Sequence, residues 1–213
     1  MIVTDKGRPP DGLLDRGADD PPHAHRNDGR RWAGILAHRW PTALGIAVAA
    51  LTAYGMDRAT EIVSLSSLVV LMALVYVGSA AVEMRRFAWV VLLAGLPLLS
   101  FIPPTSGIDP SVVLLIVAAG FLVVGAARGL LRRPGGLPLQ AAGMLVFGAG
   151  MLAALYAAPE MGAYLVAAGL IAHAAWDAFH YVRDRVVARS YAEFCAVLDL
   201  LVGATVLIVL FVR

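Results

Sequence analysis

The chain has 213 residues, 60% of them hydrophobic and only 15% charged, with a mean hydropathy of +0.77. A water-soluble domain carries roughly 45–50% apolar and about 25% charged residues, so a soluble enzyme and a largely disordered chain are excluded. A net charge of +2 is too small to signal nucleic-acid binding, and a single cysteine, Cys195, rules out an intramolecular disulfide or a cysteine-built metal cage.

The first 30 residues differ from the rest. Pro9, Pro10, Asp19, Asp20, Pro21 and Pro22 stand among mixed charges with no apolar period, which predicts a disordered arm. The apolar core and small-residue cleavage site of a signal peptide are missing, so none is expected. His23 and His25 are read as solvated residues of that arm. Residues 30–40 (RRWAGILAHRW) predict a short interfacial helix with Trp32 and Trp40 at headgroup level. Residues 1–39 are thus assigned to a disordered or interfacial cytoplasmic arm, and 40–213 to a transmembrane domain.

Seven apolar runs follow, at 41–56, 62–82, 87–102, 112–127, 137–158, 161–182 and 191–212. A spanning helix needs about 20 apolar residues, so the first, third and fourth runs must borrow flanking residues. Six spans, with the first run lying in the interface, is the competing count. The runs are continuously apolar, which disfavours a β-barrel. Basic residues fall in alternate breaks. Arg85 and Arg86, then Arg128, Arg132 and Arg133, then Arg183, Arg185 and Arg189 share one side with the basic arm, leaving Arg58 and Arg213 on the other. The positive-inside rule then predicts a cytoplasmic amino terminus and an outer carboxyl terminus. The expected fold is an all-α integral membrane protein, a seven-transmembrane-helix bundle. A retinal Schiff base needs a lysine within the bundle, and the sole lysine is Lys6 in the arm, so a rhodopsin is excluded. Arginine in place of lysine, with abundant Ala and Gly, points to a GC-rich bacterium and a multi-pass protein of its plasma membrane. Small residues at Gly125, at Gly129 and along the sixth run are expected to let helices approach closely.

Ionisable groups inside spans are costly and therefore functional candidates. The sixth run carries His173, Asp177, His180 and, just past its end, Asp184, spaced i, i+4, i+7, i+11 on one helix face. Asp199 and Glu193 come from the seventh run, Glu83 from the end of the second, and Gln140 from the start of the fifth. Convergence of Glu83, His173, Asp177, His180, Glu193 and Asp199 in the cytosolic half is expected, with Asp177, Asp199 and His173 facing one cavity.

A histidine beside buried carboxylates is a general acid/base arrangement. The sequence therefore predicts a membrane-embedded enzyme with a cytosol-facing site, acting on a lipid-soluble substrate such as an isoprenoid. Asp177 and Asp199 would be acid and base, His173 or His180 the relay, and Glu83 a further candidate. Trp176, Tyr76, Phe179 and Phe194 would line an apolar pocket. Cys195 is read as packing. A divalent metal cofactor is a variant, with His173 and Asp177, or Asp177 and His180, as ligands completed by Asp199 or Glu83. The expected partners are the bilayer and an apolar small molecule, without nucleic acid. An ion, metal or solute transporter using a His/Asp proton relay, and a non-catalytic scaffold in which ion pairs satisfy the same groups, are the alternatives.

Overall fold

The computed structural model of the protein describes residues 34, 39–56, 61–62, 64–102 and 107–212. The arm, with His23 and His25, lies outside the described residues, as do Arg58 and nearly all of the interfacial segment 30–40. The rest belongs to one compact unit, Arg39–Arg213.

Seven α-helices occupy the seven apolar runs, with no strand among the described residues. They are α1 (Trp40–Tyr54), α2 (Ser66–Val82), α3 (Phe87–Phe101), α4 (Pro110–Ala127), α5 (Leu137–Tyr156), α6 (Pro159–Arg183) and α7 (Arg189–Phe211). Prolines open α1, α4, α5 and α6 within their first two positions, where a missing N–H leaves no hydrogen bond unmade. Asp109 caps α4, its side chain accepting from the Ser111 N–H at 2.7 Å. Although the second apolar run starts at Ile62, α2 starts only at Ser66. Here the Ser64 hydroxyl donates back to the Glu61 carbonyl, and that of Ser67 to the Ser64 carbonyl at 3.2 Å. Such local bonds compete with helix formation.

By length and composition α4, α5, α6 and α7 are long and apolar enough to cross a membrane, whereas α1, α2 and α3 have 15–17 residues. Large apolar side chains such as Leu51, Leu93, Ile116, Val123, Leu145 and Val146 are exposed on the outer surface. An apolar exterior of that extent suits lipid and not water.

The central element is α2. It packs against α3, α4, α5 and α6, and 14 of its 17 residues are buried, as expected for a helix apolar all round. Along their lengths α6 and α7 lie together, and α1 packs on the outer side of α7. Gly125 does permit a close approach, since a Cβ there would meet Leu137 and come within 3.5 Å of the Ala81 Cα. Gly129 does not serve the packing role expected of it. It has open space around its Cα and a φ of 75°, so its function is to turn the chain in a left-handed conformation after α4.

Gly45 marks the tightest helix contact with backbone, because a Cβ there would stand 2.8 Å from the Phe194 carbonyl oxygen and 3.2 Å from Val197 Cβ. Gly45→Leu should push α1 off α7 and cost about 1–3 kcal/mol. Unfolding in detergent should show that loss, while Gly120→Leu, at a position with open space, should be neutral.

The ends of α2, α4 and α6 and the starts of α3, α5 and α7 form an arginine-rich face. Arg85 joins Asp184 at 2.5 Å, Arg39 joins Glu193 at 3.2 Å, and Glu83 takes Arg133 and, at 3.5 Å, Arg128. These pairs are largely exposed and contribute at most about 1 kcal/mol each. They tie the turns together at one end of the bundle.

Candidate functional site

Three turns in from the arginine-rich face, α2, α6 and α7 enclose a polar cluster. Tyr76 comes from α2, His173 and Asp177 from successive turns of α6, and Asp199 from α7. His173, Asp177 and Asp199 are fully buried and Tyr76 is 1% exposed. Ten residues separate His173 from Arg183 and Asp199 from Arg189, a depth of about 15 Å at the helical rise. The equal depths let the two helices bring these groups together.

The bonding radiates from one ring nitrogen. His173 Nδ1 stands 3.1 Å from Asp177 Oδ2 and 2.8 Å from Asp199 Oδ2. The Tyr76 hydroxyl donates to the other oxygen of Asp177, Oδ1, at 2.5 Å. A ring nitrogen carries at most one hydrogen, so two carboxyl groups around it either share that hydrogen or bring a proton of their own. Edge-on contacts with Phe147, at 5.0 Å between ring centroids, and with Tyr76, at 5.8 Å, hold the imidazole in place. His173 Nε2 and Asp199 Oδ1 are buried with no hydrogen-bond partner among the described residues. A buried polar atom without a partner carries a desolvation cost of roughly 1–3 kcal/mol, and two of them occur here within one cluster.

A cavity of about 140 Å³ adjoins the cluster, lined by residues of α1, α2, α3, α6 and α7 that include Thr52, Leu68, Met72, Leu92, Leu198 and Asp199. Among the described residues Asp199 is its one ionisable wall residue. Thr52 turns its hydroxyl back to the Val48 carbonyl at 2.9 Å. Its wall runs from Phe194 and Leu92, nearer the arginine-rich face, past Asp199 to Leu65 just before α2. No protein-family model matches this chain, and no curated protein or solved structure matches it either.

The remaining site candidates separate from the cluster. His180 donates through Nδ1 to the Trp176 carbonyl at 2.9 Å, because a carbonyl can only accept. Its Nε2 then accepts from Gln140 Nε2 at 3.1 Å, which makes it a neutral, satisfied core histidine. Glu83 is at the arginine-rich face, and Glu193 bonds Arg39 and Thr42. Asp184 ends α6 in a left-handed conformation with φ 48°. Of the four expected pocket aromatics, Phe194 lines the cavity and Tyr76 belongs to the cluster. Trp176 packs on Gly143, and Phe179 is 41% exposed beneath the Arg183 guanidinium, 5.0 Å from its ring centroid. Cys195 is free and buried.

Tyr191 was not anticipated as a site residue. Fully buried, with its hydroxyl unpartnered among the described residues, it stacks edge-on with Tyr76 at 6.1 Å. Its signal was present in the spacing of Tyr191, Cys195, Asp199 and Val202, which puts all four on one face of α7.

Proposed function

We propose that this protein is a seven-span bacterial membrane enzyme, with the arginine-rich face in the cytosol, that moves protons on a lipid-soluble substrate held in the cavity beside Asp199. The observation that carries this reading is the double role of Asp199. Among the described residues it is the one ionisable group in a largely apolar cavity wall, and it is bonded to a buried histidine that a second carboxylate also holds. Apolar cavities with few convergent polar groups are the usual form of a small-molecule site. Asp199 would touch the substrate as the acid or base. His173, Asp177 and Tyr76 would orient it and take up or return its proton.

Membrane embedding is supported by the apolar exterior and the four long apolar helices. The three shorter helices, about 22–26 Å long at the helical rise, would reach across through their flanking residues. The arginine-rich face supports the orientation through the positive-inside rule. A relay carrying ions across the bilayer would need further polar groups beyond Asp199, and among the described residues the cavity wall there offers only Thr52, whose hydroxyl is already bonded to the Val48 carbonyl. The enzyme reading is therefore preferred to transport.

The test is to incubate purified protein with total bacterial membrane lipids, isoprenoids included, and to follow them by mass spectrometry. Wild type should consume one lipid-soluble species and form another. Asp199→Asn should slow that conversion by about 10²–10⁴-fold, the usual contribution of a general acid or base. An unchanged lipid profile with wild type would overturn the reading.

A further inference from the structure

We propose that His173 Nδ1 and one oxygen each of Asp177 and Asp199 bind a single divalent transition-metal ion at the cavity wall, of the zinc, manganese or iron(II) class. The inference rests on the reading of this cluster as the reactive centre and names what the centre holds; with the ion bound the His173–Asp199 relay is replaced by it, and Asp199 Oδ1, which has no partner among the described residues, is the oxygen left to take or give the substrate's proton.

Geometry comes first. One ligand atom from each of the three residues lies within 4.8 Å of the others. Donors sharing an ion at about 2.1 Å stand roughly 3.4 Å apart in a tetrahedral site. The two contacts to His173 Nδ1, 2.8 and 3.1 Å, need only a few tenths of an ångström of opening to reach that spacing.

Charge is the second argument. Two carboxylates buried in an apolar bundle need compensation. A protonated imidazole would leave the group at a net charge of −1, whereas a divalent ion with a neutral imidazole brings it to zero. A nitrogen and two carboxylate oxygens form a donor set that such ions accept.

Two further observations point the same way. The Tyr76 hydroxyl donates to the Asp177 oxygen that His173 does not use, the outer hydrogen bond by which ligating carboxylates are oriented. Asp199 Oδ1 is buried and unpartnered among the described residues, which leaves a free donor atom on the residue that forms the cavity wall. Three protein donors leave coordination positions for a substrate, the arrangement of an open, reactive site rather than a closed structural one. His180 stays outside the set, since both of its ring nitrogens already have partners.

The experiment uses the full chain purified in detergent, loaded with Zn(II), Mn(II) or anaerobic Fe(II), desalted, and analysed for metal. Wild type and His180→Asn should each retain one ion per chain, and Asp177→Asn and Asp199→Asn should retain less than a tenth of that. No retained ion in wild type with any of the three metals, retention in both aspartate variants, or loss in His180→Asn would overturn the proposal. If the aspartate variants unfold, wild type decides by Co(II) titration. Visible absorption bands saturating at one equivalent and displaced by zinc are expected, and their absence overturns the site. Full lipid conversion by chelator-treated, metal-free protein would overturn the ion while leaving the enzyme standing. One bound ion with no lipid converted would do the reverse.

Discussion

His173→Ala is expected to destabilise the bundle by about 3–5 kcal/mol, the range found when one partner of a buried charge pair is removed. Among the described residues the imidazole is the one group seen to bond both Asp177 and Asp199, and both carboxyl groups are fully buried. Without it, two acidic groups face each other across the α6–α7 interface with no cation between them. The loss should therefore be strongly non-additive. Adding Asp177→Asn and Asp199→Asn to His173→Ala removes the stranded charge, and the triple variant should be more stable than the single one. Chemical denaturation in detergent, with a chelator present, measures both. Equal or lower stability of the triple variant would show that the carboxylates are not charge-coupled through His173.

Leu92→Trp is expected to reduce lipid conversion at least about 100-fold while leaving the Tyr76–Asp177–His173–Asp199 bonds in place. Leu92 lies on α3 in the cavity wall and is 6% exposed. A larger ring there fills space a substrate would use, and overpacking should cost only about 1–3 kcal/mol. The variant separates two roles for the cluster. If the cluster served folding alone, blocking the cavity would change no chemistry. If Asp199 works on a cavity-bound molecule, conversion stops although the acid/base groups are intact. Wild-type conversion by folded Leu92→Trp would place the substrate elsewhere.

The helices were legible because composition alone sets them. Arginine-bearing breaks and prolines bound each run, and the structure moves most boundaries by only a residue or two. The start of α2 is the main departure, where serine hydroxyls bond back to carbonyls at a point the hydropathy still reads as apolar. The polar stripe of α6 was half legible. His173 and Asp177 are one turn apart and meet. His180 shares their face but lies about 10 Å from His173 along the axis, so a common face did not mean a common site. Its partner, Gln140, comes from another helix. The pairing of His173 with Asp199 depends on how α6 and α7 register against each other, and each helix's own periodicity is silent on that. The cavity was expected on the cytosolic side because the ionisable residues crowd there. Its wall runs from Phe194 to Leu65, and residues such as Leu68 and Met72 look in sequence like any others of an apolar helix.

The burial of α2 carries a consequence for how the chain is made. Among the described helices this one is synthesised second, yet the four that cover it, α3, α4, α5 and α6, all emerge after it. Until they arrive, a helix with no charged side chain can remain in lipid at little cost beyond its serine hydroxyls and the Tyr76 hydroxyl. That hydroxyl gains its acceptor only when Asp177 of α6 is in place, and Asp177 itself, with His173, awaits Asp199 of α7. The polar cluster thus closes last, from the carboxyl-terminal side. A ribosome-bound chain halted after α5 would hold its central helix already flanked by α3, α4 and α5, with the Tyr76 hydroxyl still waiting for the acceptor that the final hairpin brings.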